Sequence, residues 1–118
     1  RHHRFGCGPD GVPGLTVYCP SKGGVVNMTR AMAVEVAPDV AVNCVCPGYV
    51  DTDMIRCDSI DKSNDPTAAE QRMIEYAPLK RIAMPAESSQ SVLYLASSEA
   101  RFVTGAALAI DGGSTAGR

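Results

Sequence analysis

The sequence predicts an α/β fold, a parallel sheet layered with helices. Three observations lead there. Apolar residues recur at helical spacing over three stretches, 17–36, 65–77 and 85–96. Two short aliphatic runs, 40–46 and 106–110, lack polar alternation and read as strands buried on both faces. The helical and strand-like segments alternate along the chain, and no internal repeat interrupts them. At 118 residues and 45% hydrophobic content, the chain has room for one domain and enough apolar material for a core.

Each element has its own local reason. Residues 1–14 contain four Gly and two Pro without periodicity and read as irregular chain. Val17–Val36 carries Tyr18, Lys22, Val25, Val26, Met32, Ala33 and Val36 at helix-like spacing. Thr16 is its expected N-cap, and Pro20 is tolerated because N–H groups of the first turn have no intrahelical partner. Gly23 and Gly24 weaken intrinsic helix preference, so packing must hold that stretch. Pro38 and Asp39 end the helix. Val40–Cys46 is the first strand, closed by Pro47-Gly48. Residues 49–64 are polar and mixed in charge, which predicts a mobile loop. Asp65-Pro66 then reads as an N-cap with proline at the first helical position. Ala69, Met73, Tyr76 and Ala77 continue that helix to Pro78. Pro85 and Glu87 open another, with an expected core face of Val92, Leu95 and Ala96. Gly105 precedes the strand Ala106–Ile110, and Asp111-Gly112-Gly113 closes it.

Charge and cysteine usage exclude several function classes. Eleven Lys and Arg against thirteen Asp and Glu leave a net charge of −2, without the basic excess that nucleic acid or an anionic membrane demands. The longest nearly apolar run, Phe102–Ile110, falls far short of the ~18 residues of a bilayer span. The chain starts at Arg1 with no charged-then-apolar leader, so it is expected to be cut or processed at the front rather than exported. Cys7, Cys19, Cys44, Cys46 and Cys57 form no C-x-x-C pair. They read as small hydrophobes in a reducing, cytoplasmic setting, and no metal site is expected, His2 and His3 notwithstanding.

Gly6-Cys7-Gly8-Pro9-Asp10-Gly11 satisfies G-x-G-x-x-G but has neither a strand before it nor a helix after it, and Pro9 removes a donor. It is rejected as a phosphate cradle. Tyr18 and Lys22 carry more chemistry. Four residues apart on a helix, they share one face. A free phenol titrates near pH 10, and a cation within ~4–6 Å favours its phenolate form. Such a tyrosine can exchange a proton with an alcohol or carbonyl oxygen. Alone, a Tyr/Lys pair at this spacing is weak.

Linked motifs strengthen it. Tyr18-Cys19-Pro20-Ser21-Lys22-Gly23-Gly24 is followed by Val42-Asn43-Cys44-Val45-Cys46-Pro47-Gly48-Tyr49-Val50-Asp51-Thr52. Later come Phe102-Val103-Thr104-Gly105 and Ala109-Ile110-Asp111-Gly112-Gly113. In this order the chain resembles the C-terminal half of a short-chain dehydrogenase/reductase over residues 11–115, with a flavour similar to 3-oxoacyl-carrier-protein reductases. The resemblance implies an incomplete Rossmann-type parallel sheet flanked by helices, with residues 1–118 forming one partial domain.

It also implies roles. Tyr18 matches the catalytic acid/base, and Lys22 the lysine that lowers the tyrosine pKa and binds the nicotinamide ribose. Pro47 and Gly48 match the turn beside the nicotinamide ring. Val50 matches the backbone contact to the carboxamide, and Thr52 a side chain near the carboxamide and phosphates. Residues 53–77 match the variable substrate segment, where Met54 and Ile55 are the expected pocket residues; Met73 serves the pocket or the core equally. The implied cofactor is NAD or NADP, undecided between them, and the implied substrate a small alcohol or carbonyl compound. No nucleic acid or membrane partner is expected, and the full-length form is expected to be a homo-oligomer. The position of the family's catalytic serine falls at Phe5, and Ser88 stands where an apolar residue is usual. The alternative reading is a catalytically inactive truncated product acting only through subunit pairing.

Overall fold

The computed structural model describes residues 16–116. The readings made for 1–14, including Phe5, Cys7 and the Gly6–Gly11 segment, lie outside the described residues. Helix α1 spans Tyr18–Glu35, strand β1 Cys44–Pro47, and the short α2 Asp53–Ile55. Arg56–Ile60 continues α2 as a π turn. Helix α3 follows at Pro66–Tyr76, α4 at Pro85–Ala96, a 3₁₀ turn at Ser98–Ala100, and β2 at Ala107–Ile110.

Strands β1 and β2 pair in parallel, with Cys44 opposite Ala107 and Pro47 opposite Ile110. Both α1 and α4 pack on this sheet, giving the expected α/β layering. A parallel pair needs a long crossover, and here it carries α2, α3 and α4. Side chains fix the register at the strand starts. Asn43 donates from Nδ2 to the Val103 carbonyl at 2.9 Å and accepts from the Ala106 N–H at 3.0 Å. Thr104 Oγ1 accepts from the Val42 N–H, so the two connections are tied before the ladder begins.

Several expectations need correcting. Thr16 does not cap α1: the cap position is Val17, already in right-handed helical geometry and without a side-chain hydrogen bond. The first strand is shorter and later than 40–46. Val42 instead serves the Thr104-Gly105 turn, its carbonyl accepting from the Gly105 N–H at 2.7 Å. Residues 49–64 are not a featureless loop, because α2 and the π turn lie within them. On α4, Leu95 is half-buried, but Val92 and Ala96 are exposed.

The caps of α3 and α4 obey local chemistry. Asp65 accepts from the Ala68 N–H at 3.0 Å, with Pro66 next in line. Glu87 reaches back to the Met84 N–H at 2.7 Å and forms two hydrogen bonds with Arg81, which holds its carboxyl down at about 2. The core is built of small side chains: Val26 and Ala33 from α1, Cys46 from β1, and Ile60, Ala69, Ala77 and Ala100. Cys19, Cys44 and Cys57 are free thiols, and Cys46 is buried as a small hydrophobe. No helix among the described residues is long and apolar enough to cross a membrane.

Candidate active site

Tyr18 opens α1 and Lys22 follows one turn later, so helical geometry stacks them on one face. The Lys22 ammonium lies over the Tyr18 ring, 5.3 Å from its centroid. That distance is within cation–π range, where the ring's negative face attracts the charge. Tyr18 is 43% exposed.

The second group of site residues sits just past β1. Pro47 ends the strand, and Gly48 donates to the Ile110 carbonyl at 3.0 Å. A Cβ on Gly48 would stand 2.9 Å from the Asp111 Cα, so only glycine lets the two strand ends approach this closely. Val50 bridges Ala83 in parallel fashion. The Ala83 N–H donates to the Tyr49 carbonyl at 3.0 Å, and its carbonyl accepts from the Asp51 N–H at 2.8 Å. This pattern turns the N–H and C=O of Val50 itself away from Ala83. A backbone donor and acceptor side by side are the complement of a carboxamide, and the Val50 carbonyl, which also takes the Thr52 hydroxyl, keeps a second lone pair for such a partner. Thr52 occupies the cap position of α2, and its hydroxyl donates to the Val50 carbonyl at 3.3 Å.

Of the expected pocket residues, Met54 is 71% exposed, while Ile55 beside it on α2 and Met73 on α3 are half-buried. A cavity of about 450 Å³ opens at the strand ends, between Tyr49, Ala77–Leu79 and Ile110–Gly113. It includes none of the site residues expected from the sequence. Tyr49 meets Tyr76 edge-to-face with centroids 5.7 Å apart, and burial pushes its phenol up to about 12.

Two features escaped the sequence reading. Arg56 joins Asp51 to Glu70 through its guanidinium. Asp111 knots the turn after β2, its carboxylate accepting from the Gly113 and Thr115 N–H groups and the Thr115 hydroxyl. The Asp-Gly-Gly string signalled a turn, but nothing local announced that Arg56 would find Glu70. Among the described residues, no cluster of His, Cys, Asp or Glu is arranged to hold a metal ion.

A parallel sheet with helices packed on it, and a Tyr–Lys pair one turn apart on one of those helices, make an α/β architecture. Residues 6–115 match the family described as "Enoyl-(Acyl carrier protein) reductase". The chain is 39% identical over 107 residues to 2-(S)-hydroxypropyl-CoM dehydrogenase 3 of Xanthobacter autotrophicus, covering 90% of this chain and 42% of that protein. It is 35% identical to the 3-oxoacyl-(acyl-carrier-protein) reductase FabG of Chlamydia trachomatis, covering 87% of this chain and 39% of that one. A short-chain dehydrogenase family protein from Francisella tularensis superposes with a TM-score of 0.83 at 37% identity, over 90% of this chain and 46% of that one. The chain belongs to the short-chain dehydrogenase/reductase family and has the α/β fold of a partial Rossmann domain. It spans less than half the length of these relatives.

Proposed function

We propose that this chain carries the proton-transfer pair of an NAD(P)-dependent oxidoreductase that interconverts a hydroxyl and a carbonyl. The observation that carries this reading is the Lys22 ammonium poised over an accessible Tyr18 ring. Position supports it. Ala33, near the far end of α1, lies 3.5 Å from the Cβ position of Gly105, just ahead of β2. From there to Tyr18 the helix runs about 22 Å, whereas the four-residue strands are about 13 Å long. A length like this, run antiparallel to the strands, carries the Tyr18 end past their carboxyl ends, where open α/β sheets bind ligands.

In the reducing direction the Tyr18 hydroxyl gives its proton to the carbonyl oxygen, and in the oxidising direction the phenolate takes the alcohol proton. Lys22 stabilises the phenolate by its charge and offers ammonium donors to ribose hydroxyls. The backbone of Val50 holds the carboxamide, Thr52 sits beside it, and Pro47 and Gly48 form the turn along the ring. Met54 and Ile55 face the substrate. A bound nicotinamide supplies or takes up the hydride. The free thiols of Cys19, Cys44 and Cys57 fit a reducing, cytoplasmic setting.

Tyr18→Phe tests the assignment. Turnover should fall at least ~100-fold, the usual scale of a lost general acid/base, with cofactor affinity by fluorescence nearly intact. Undiminished turnover would overturn the role.

A second reading, an inactive product that acts only by pairing with another subunit, rests on a different observation. Val25, Met28 and Met32 form a stripe on α1 that is 43%, 55% and 41% exposed. It runs beside the buried stripe of Val26, Thr29 and Ala33, so α1 has a second apolar face. Such a face suits a homo-oligomer in either reading.

A further inference from the structure

The segment after Thr52 is weakly anchored by apolar contacts. Between Asp53 and Tyr76 only Ile60 and Ala69 are buried. Its π turn and short α2 have little helical stability of their own, since so few residues cannot repay nucleation. What spans the gap is one guanidinium. Arg56 donates from Nε to one Asp51 oxygen at 2.6 Å and from Nη2 to the other at 3.0 Å. Its remaining Nη1 donates to Glu70 on α3 at 2.5 Å. Asp51 is itself fixed, because its N–H donates to the Ala83 carbonyl next to Val50.

We propose that Arg56 is a positioning residue: by gripping Asp51 and Glu70 together it holds the 53–76 segment in register with the turn that bears Val50 and Thr52. Exposed ion pairs usually contribute little, and bidentate geometry within a network is the exception. All three side chains are between 32% and 39% exposed, so the grip is accessible to water but not dissolved in it. The Asp51 carboxyl is held below its ordinary range, first by its hydrogen bonds to Arg56. Lysine is a poor substitute, because an ammonium lacks the planar fork that meets both oxygens of Asp51 while a further nitrogen reaches Glu70. The effect on catalysis rests on the oxidoreductase reading above: the Asp51 arm serves the cofactor turn, and the Glu70 arm serves the substrate segment.

Hydrogen exchange on the whole protein tests the grip without any ligand. Glu70→Gln should speed amide exchange in 66–76 about five-fold, the scale of a networked ion pair, and leave 107–110 unchanged. Arg56→Lys should release both 53–60 and 66–76. Unaltered exchange in 66–76 for both variants would overturn the proposal. Kinetics then separate positioning from mere stability. Glu70→Gln should raise KM for the alcohol or carbonyl about five-fold with kcat and cofactor KM held within two-fold, and a fall in kcat at constant KM would overturn the role. If Tyr18→Phe or the absence of any turnover defeats the oxidoreductase reading, the exchange result still decides the grip.

Discussion

The strand carboxyl ends and the outer face of α1 are held together in opposite ways. At the strand ends almost every group is tied: Gly48 to Ile110, Tyr49 and Asp51 to Ala83, Leu79 to Gly112, and Asp111 to its own turn. At the start of α1, Tyr18 and Lys22 stand on an exposed surface, continued by Val25, Met28 and Met32. The first region is a finished frame whose geometry this chain determines by itself. The second leaves a Tyr–Lys pair and an apolar stripe exposed. The contrast separates residues whose geometry the backbone network fixes from residues that the surface merely displays.

Substitutions break this contrast in graded steps. Gly48→Ala strikes the frame hardest, because the added carbon meets the Asp111 backbone rather than a yielding side chain. It should lower stability by about 2 kcal/mol, read from a thermal or denaturant melt. Asp65→Ala removes the N-cap of α3 and should cost about 1 kcal/mol by the same measurement. Acid loosens the frame next. The carboxyl of Glu87 lies at about 2 in the folded protein against 4.5 ordinarily, because of Arg81 first and the Met84 N–H second. Its contribution is therefore complete above pH 4.5 and lost as pH falls through about 2. Circular dichroism across that window should show α4 fraying at its first turn, and Glu87→Gln should remove this step. On the open side the same scale of change should be nearly silent for folding. Met28→Glu should alter stability by less than ~0.5 kcal/mol, yet sedimentation should show weakened self-association.

How much of this was legible depended on the range of each interaction. The starts of α3 and α4 were readable because Asp65, Pro66, Pro85 and Glu87 act on backbone within three residues. The Tyr18–Lys22 pair was readable for the same reason, one helical turn being a local distance. The limits of β1 were not, because Asn43 and Thr104 set them from opposite ends of the crossover. Residues 49–64 read as loop because Arg56 gains its structural meaning only when Glu70 folds up beside it. The two faces of α1 are both apolar, so periodicity alone could not say that Val26, Thr29 and Ala33 turn inward while Val25 and Met32 stay out.

Ser88, in the second turn of α4, carries a buried hydroxyl that finds no hydrogen-bond partner among the described residues. Dehydrating an oxygen without recompense is a standing debit against folding, and an alanine there has none to incur. The position is remote in sequence from Tyr18 and Lys22 and from the turn that bears Val50. It therefore marks a reserve of robustness that the fold leaves undrawn.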